Sequence, residues 1–224
     1  MPDGWEVLLR LKIVQAGDPV LRQAAQPLTP AEILKDEIQR LIRDMQDTMR
    51  DAPGVGLAAP QVGVSLQLAV IEDQEEFMKH LSAEELEKKC RRPVPYHVLI
   101  NPKIVRAGDD KVEFHEGCLS LAGFSAIVPR ALSIRAEYTN ERGEPCAVDA
   151  SGWYARILQH EIDHLNGHLY IDRMHSRSFT SGKTGAGTGG ANLFQAPRIY
   201  QIFAPVYTHK LKGLVSLFDS VHML

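Results

Sequence analysis

The 224-residue sequence has an apolar share of 44%, a charged share of 24% and a formal net charge of −3. This length suits one domain, or one domain with an appendage, and the composition is ordinary for a globular protein. No basic run indicates nucleic-acid binding, no apolar stretch is long enough to span a bilayer, and the three cysteines favour a reduced compartment.

The first regular elements are predicted before residue 50. Residues 13–22 contain Gly-Asp-Pro and predict a short strand followed by a turn. An N-terminal amphipathic helix then begins after Thr29, because Thr29 can cap it, Pro30 suits the first helical position and Glu32 completes a capping box. Apolar residues follow at helical spacing: Leu34, Ile38, Leu41, Ile42, Met45 and Met49.

The middle of the chain is predicted to be mainly β-structure. Residues 54–61 form a loop of small residues, whose glycines let the backbone pass close to a ligand. Residues 73–92 are charged and indicate a solvated excursion, with a helical piece at residues 83–89. Short strands are predicted at residues 66–71, 98–100, 104–105, 112–114, 126–128, 132–138 and 146–148, with a hairpin turn at 140–143. This order predicts an α+β fold, with short antiparallel sheets packed around a central H-E-x-x-H helix.

That central helix is predicted from residue 153 to residue 165, with Ser151 as its N-cap and Gly167 at its end. It carries the pattern H-E-x-x-H, in which His160 and His164 are four residues apart and therefore lie on one face of the helix. Both imidazoles can point at one metal ion. Glu161 follows the first ligand, where its carboxylate can act as a general base without being a ligand.

A third ligand has to come from a Cys, His, Asp or Glu outside the helix. Cys118 is the strongest candidate, because it lies between Gly117 and Leu119 just after a predicted strand, where a turn can present its sulfur. A lone cysteine is also commonly a small buried apolar residue. From the residues alone, both interpretations of Cys118 stay open.

Three separated motifs carry a resemblance to a known family. They are the small-residue loop at 54–61, the sequence Glu-Gly-Cys-Leu-Ser at 116–120 and the sequence Gln-His-Glu-Ile-Asp-His at 159–164. In this order they resemble the peptide deformylases, over about residues 13–179, with features of the organelle-type (type 1) members. The resemblance implies a catalytic domain at residues 1–179, followed at 180–224 by a Gly-rich linker and a tail of unknown role.

The resemblance implies a role for each matching position. The implied metal ligands are Cys118, His160 and His164, and the implied catalytic groups are Glu161, Gln61 and the backbone N–H of Leu119. The implied substrate-binding positions are Val55, Gly56, Gly117, Trp153 and Ile157. The implied supporting residues are Arg130, which pairs with Asp163, and Glu116, which braces the Cys118 loop. The implied cofactor is one divalent ion, with Fe²⁺ preferred and Zn²⁺, Ni²⁺ or Co²⁺ tolerated.

The resemblance also implies an activity and a setting. The expected reaction is the removal of the formyl group from the N-terminal formyl-methionine of newly made polypeptides, with release of formate. The expected partners are these nascent peptides and the ribosome near its exit tunnel. The first residues predict neither a secretory signal nor an Arg-rich transit peptide, so a bacterial protein would be cytoplasmic. An organelle protein whose presequence had been removed would belong to the mitochondrial or plastid matrix.

Two other functions are compatible with the H-E-x-x-H pattern. One is a metallopeptidase, although those families usually take a third His or a later Glu, whereas the strongest candidate here is the upstream Cys118. The other is a non-catalytic protein with a structural zinc, which would need a fourth ligand. No convincing fourth ligand is found in the sequence.

Overall fold

The computed structural model describes residues 10–181 of the chain. Thr180–Ser181, at the start of the predicted linker, form a short strand, and the rest of the linker and the tail lie outside the described residues. Within residues 10–181, no helix is both long and apolar enough to cross a membrane.

Two antiparallel sheets form the framework. The larger sheet has the order β1-β2-β3-β6-β7, with β1 at Gly56–Ala58, β2 at Leu68–Asp73, β3 at Val94–Ala107, β6 at Ser133–Thr139 and β7 at Pro145–Ser151. The smaller sheet has the order β4-β5-β8, with β4 at Lys111–Gly117, β5 at Phe124–Ala131 and β8 at Thr180–Ser181. The predicted α+β class with antiparallel sheets is confirmed.

In the part of the chain that the structure describes, four α-helices accompany the sheets: α1 at Pro30–Ile33, α2 at Asp36–Asp51, α3 at Ala83–Lys89 and α4 at Gly152–Leu165. The single helix predicted from Thr29 is therefore wrong in one respect. Thr29 and Glu32 do form the capping box, but the chain leaves the helix at Leu34 and restarts after Lys35. The strand predicted within residues 13–22 is also wrong, because no residue of this range is in a strand, whereas the predicted turn is present and is followed by the 3-10 turn Pro19–Arg22, which the Asp18 side chain caps.

The larger sheet is buried on both faces at β1 and β2, whereas residues of β7 alternate between exposed and less exposed. Successive residues of a strand point to opposite faces, and along β2 Ala69 and Ile71 join one apolar cluster while Leu68 and Val70 join another. The first cluster contains the apolar residues of α4, and the second contains those of α2. Each buried aliphatic side chain of this kind contributes about 1.5–3 kcal/mol of transfer free energy. This packing holds α4 against the sheet.

The ends of α4 are set by contacts with other segments. Ser151 occupies the N-cap position as predicted, but its side chain makes no capping hydrogen bond. Gly152 follows with a φ of +61°, and a Cβ there would lie 2.5 Å from the Cβ of Cys90. Gly167 follows the helix with a φ of +75°. Only glycine fits the close approach at the start of α4 without strain.

The charged stretch at residues 73–92 is not a purely solvated excursion. At its two ends, Asp73 and Arg91 are buried and form a two-hydrogen-bond ion pair, with Nε to Oδ2 at 2.8 Å and Nη2 to Oδ1 at 2.7 Å. Arg91 and Lys89 also lie over the Trp153 ring, at 5.2 Å and 5.0 Å from its centroid. The stretch is therefore anchored to the sheet and to the start of α4, which composition alone did not reveal.

Candidate metal centre

Three side chains that can bind a metal converge in the structure. His160 and His164 project from one face of α4 with ring centroids 4.9 Å apart, and Cys118 follows the end of β4. The potential ligand atoms of all three residues lie within 4.8 Å of one another, and Cys118 Sγ is 3.2 Å from His164 Nε2. The structure thus brings the three sequence-predicted ligands together.

The donor set fits a divalent transition metal. A thiolate and two imidazoles suit Zn²⁺ or Fe²⁺ and make a poor site for Mg²⁺ or Ca²⁺, which prefer oxygen. Burial lowers the pKa of His164 well below its usual range, so its imidazole is neutral, as a ligand must be. His160 Nδ1 lies 3.0 Å from Glu116 Oε2, and this contact leaves His160 Nε2 as the nitrogen available to the metal.

Glu161 lies beside the three ligands and is only 3% exposed. Within the described part of the chain its Oε2 has no hydrogen-bond partner, and burial raises the pKa of its carboxyl to about 7. Its carboxylate rests against the backbone of β1, because a Cβ on Gly56 would lie 2.3 Å from Glu161 Oε1. A buried carboxylate without a partner, next to three candidate ligands, has the position required of a general base.

The Gln61 amide is oriented towards the same centre. Its Oε1 accepts from the backbone N–H of Ala58 at 2.8 Å, so its Nε2 points the other way, 3.4 Å from Cys118 Sγ and 3.4 Å from Ser120 Oγ. Leu119, whose backbone N–H is the second predicted donor, begins the 3-10 turn Leu119–Leu121 directly after Cys118. Both predicted donors therefore flank Cys118.

The segment before the first 3-10 turn supports these two donor loops. The N–H of Val14 donates to the carbonyl of Gln61 at 2.9 Å, and the N–H of Ala16 donates to the carbonyl of Ser120 at 2.8 Å. Between them, Gln15 Nε2 donates to the carbonyl of Leu119 at 3.1 Å. No pattern in the sequence indicated that this segment contacts the site.

A buried ionic network lies behind the ligands. Arg130 Nε and Nη2 donate to Glu116 Oε1 and Oε2, both at 2.9 Å, and Arg130 Nη1 reaches Asp163 Oδ2 at 2.5 Å. Burial alone would raise the pKa of Glu116, but hydrogen bonds from His160 and Arg130 outweigh it and hold that pKa far below its usual range. Glu116 is therefore ionised, and it contacts His160, a candidate metal ligand, directly.

Two further members of this network were missed at the level of sequence. Arg156 Nη1 donates to Glu116 Oε1 at 2.6 Å, and Arg173 Nε and Nη2 donate to Asp163 at 2.7 Å and 2.8 Å. Arg156 carried a usable signal, because it is a charged residue in the apolar face of α4, four positions before His160. Arg173 carried none, because it lies in an irregular segment after the helix.

The predicted substrate-binding residues fall into two places. Trp153 and Ile157 are buried in the same apolar cluster, and Val55 packs against that cluster. Gly56 adjoins Glu161, and Gly117 ends β4, where it pairs with Ser125. Gly56 and Gly117 therefore lie next to Glu161 and Cys118, whereas Val55, Trp153 and Ile157 share an apolar cluster on α4 and beside β1.

Comparisons with known proteins match this arrangement. The family model described as polypeptide deformylase matches residues 10–179. The chain is 47% identical over 167 residues to the chloroplastic peptide deformylase 1A of Solanum lycopersicum, covering 75% of this chain and 60% of that protein. It is 41% identical over 169 residues to the mitochondrial peptide deformylase of Homo sapiens, covering 75% of this chain and 70% of that protein.

Solved structures show the same similarity. The peptide deformylase of Synechococcus elongatus, in complex with actinonin, is 42% identical with a TM-score of 0.63, covering 75% of this chain and 80% of that one. The Met-Ala-Ser-bound peptide deformylase of Acinetobacter baumannii is 28% identical with a TM-score of 0.66, covering 75% of this chain and 99% of that one. The alignments span only 60% and 62% of the tomato and Arabidopsis thaliana relatives.

Proposed function

The chain belongs to the polypeptide deformylase family, and on that premise we propose that it removes the formyl group from the N-terminal formyl-methionine of newly made polypeptides and releases formate. The observation that carries the proposal is the convergence of Cys118, His160 and His164 beside the buried carboxylate of Glu161. A solved relative adds support, since the peptide deformylase of Acinetobacter baumannii binds Met-Ala-Ser.

In this proposal Cys118, His160 and His164 hold one divalent metal, which is Fe²⁺ by preference and can be replaced by Zn²⁺, Ni²⁺ or Co²⁺. When bound, such an ion lowers the pKa of water and polarises a carbonyl oxygen. The sulfur ligand makes the site soft, so Fe²⁺ would be sensitive to oxidation. Glu116 would orient His160 through the contact at Nδ1.

Glu161 moves the proton. It accepts a proton from the water that attacks the formyl carbon and then returns that proton to the amine nitrogen as the carbon–nitrogen bond breaks. The products are formate and a peptide with a free amino terminus. The position of Glu161 against Gly56, out of contact with other hydrogen-bonding groups of the described chain, supports this role.

Gln61 Nε2 and the N–H of Leu119 stabilise the negative charge that develops on the formyl oxygen. Hydrogen-bond donors that the fold already holds in place stabilise such an oxygen more than water does, because they do not have to reorganise during the reaction. The hydrogen bond from Ala58 N–H to Gln61 Oε1 supplies this preorganisation. Val55, Trp153 and Ile157 line the proposed methionine pocket, and Gly56 and Gly117 offer backbone groups to the peptide.

A formate assay tests the proposal against its two alternatives. The protein is incubated with formyl-Met-Ala-Ser and, separately, with the unformylated peptide. Formate from the first peptide only is the expected result, whereas cleavage of an internal peptide bond would indicate a metallopeptidase. Release of neither product by metal-loaded protein would indicate a structural zinc, although residues 10–181 contain no fourth Cys, His, Asp or Glu grouped with the three ligands.

The setting and the domain division are also proposals. The relatives include chloroplastic and mitochondrial proteins as well as bacterial ones, so the organelle matrix or the bacterial cytoplasm is the proposed location. Nascent substrates leave the ribosome at its exit tunnel, and co-sedimentation with ribosomes tests a direct association.

A chain ending at Ser181 keeps β8 and every proposed site residue. We expect it to fold, bind metal and release formate at the full-length rate, and loss of any of these would place residues 182–224 in the catalytic domain.

A further inference from the structure

Arg156 lies one helical turn before His160 and is almost completely buried, with 2% of its surface exposed. Its Nη1 donates to Glu116 Oε1 at 2.6 Å and to the carbonyl of Val128 at 2.8 Å, and its Nη2 donates to the carbonyl of Val112 at 2.7 Å. These acceptors belong to β4 and β5. One guanidinium therefore ties the helix of the proposed metal ligands to the smaller sheet.

Glu116 is held from two sides. Arg130 contacts both of its oxygens, but Arg130 is shared with a second carboxylate, that of Asp163. Arg156 contacts no other carboxylate within the described residues. The charge of Arg156 is thus directed at Glu116 alone, at the oxygen opposite the one that faces His160 Nδ1.

We propose that Arg156 is a positioning residue of the metal centre, which fixes the Glu116 carboxylate so that Glu116 in turn fixes the imidazole of His160. This inference rests on the proposed metal-dependent function. Without Arg156, Glu116 is held on this side only by the forked contact with Arg130, a guanidinium that Asp163 also holds, so the carboxylate is fixed less firmly. The hydrogen bond at His160 Nδ1 is then less well oriented. The imidazole ring is therefore held less firmly in the orientation that metal binding needs.

The guanidinium of Arg156 has several contacts that stabilise the fold and one that leads to the proposed metal centre. Burying a guanidinium is costly, and its Nε has no hydrogen-bond partner within the described residues. The guanidinium itself lies beside two aromatic rings, since the Arg156 Cζ is 5.2 Å from the Phe114 centroid and 5.9 Å from that of Trp153. These rings and the carbonyls of Val112 and Val128 stabilise the cation within the fold, and the contact with Glu116 is the one that links Arg156 to the proposed metal centre.

The test measures Zn²⁺ affinity by competition with a chromophoric chelator, without any formylated substrate. Arg156→Met keeps an unbranched side chain and removes the charge and the donors, and we expect it to weaken Zn²⁺ binding about tenfold, the lower end for residues behind a metal ligand. Arg91→Met is the matched control, because Arg91 is also buried and also lies over Trp153, but it binds Asp73. Unchanged affinity in Arg156→Met, or an equal loss in both variants, would overturn the proposal.

A double-mutant cycle with Glu116→Gln separates positioning from a general loss of structure. If Arg156 acts through Glu116, its removal weakens Zn²⁺ binding in the native background and has little further effect in Glu116→Gln. The same fold-loss in both backgrounds would refute the pathway. If Arg156→Met does not fold, the cycle uses Arg156→Lys, which keeps the charge and lacks the forked donors, and the same two outcomes decide. A protein that binds Zn²⁺ in this way but releases no formate would leave this inference standing and remove the proposed activity.

Discussion

One added methyl group at Gly56 tests whether Glu161 is held where it must take a proton. A Cβ at Gly56 would lie 2.3 Å from Glu161 Oε1 and 2.6 Å from its Cδ. Because non-bonded heavy atoms rest near about 3.5 Å, the carboxylate has to retreat by roughly 1 Å from the 2.3 Å contact. A displacement of about 1 Å in a reacting arrangement can cost about 10²-fold in rate, so we expect Gly56→Ala to lower kcat about 10²-fold.

The assay is formate release from formyl-Met-Ala-Ser at saturating substrate, with bound metal measured on the same sample. Metal content should stay unchanged, because Glu161 is not one of the three proposed ligands. Gly54→Ala is the control: its Cβ would be closest to a terminal methyl of Leu119, at 2.9 Å, and a flexible side chain can move away. A Gly56→Ala protein with full metal and the unsubstituted kcat would refute the proposed position of the base.

The other predictions concern single residues. Cys118→Ala should lose most bound metal and nearly all formate release, and full metal occupancy by elemental analysis would contradict its role as a ligand. Glu161→Gln should keep the metal and lose at least about 10²–10⁴-fold in kcat, the usual contribution of one proton transfer; near-normal turnover would exclude it as the base. Gln61→Leu should lower kcat by about 10²–10³-fold with a smaller change in KM, the pattern expected for a transition-state donor. A rise in KM alone would make it a binding residue. Burial lowers the pKa of His97 in the folded protein, where its Nε2 lies 2.9 Å from the Tyr154 hydroxyl. As the pH drops below the ordinary histidine pKa of 6.5, the unfolded chain therefore binds a proton before the folded protein does. The free energy of unfolding should therefore fall as the pH drops below that value, and His97→Gln should reduce the slope in denaturant titrations; an unchanged slope would exclude His97 as the cause.

Local patterns in the sequence determined several elements by themselves. The four-residue spacing of His160 and His164 placed both imidazoles on one face of α4, since helical geometry allows no other result. The helical piece predicted at residues 83–89 is α3, Ala83–Lys89, with its own capping box from Ser82. In each case, neighbours within one helical turn contain all the information that is needed.

Prediction from local sequence was wrong where a residue far away in the chain determines the local backbone. Asn101-Pro102 separates two predicted strands, yet β3 runs continuously from Val94 to Ala107 with Asn101 at a φ of +50°. The Asn101 side chain accepts from the N–H of Leu28 at 2.9 Å and donates to its carbonyl at 2.7 Å. A partner 73 residues away satisfies this side chain where the strand bulges, and no local pattern reports such a contact.

The site divides in the same way. The identities of Cys118 and the two histidines could be proposed from motifs, but their convergence depends on the end of β4 lying beside α4. The support behind them belongs to the tertiary structure alone, because Arg156 reaches Glu116 across 40 positions of sequence. Burial makes that contact specific: a guanidinium enclosed between α4 and the smaller sheet has to find its acceptors there, and only the packed fold determines which ones they are.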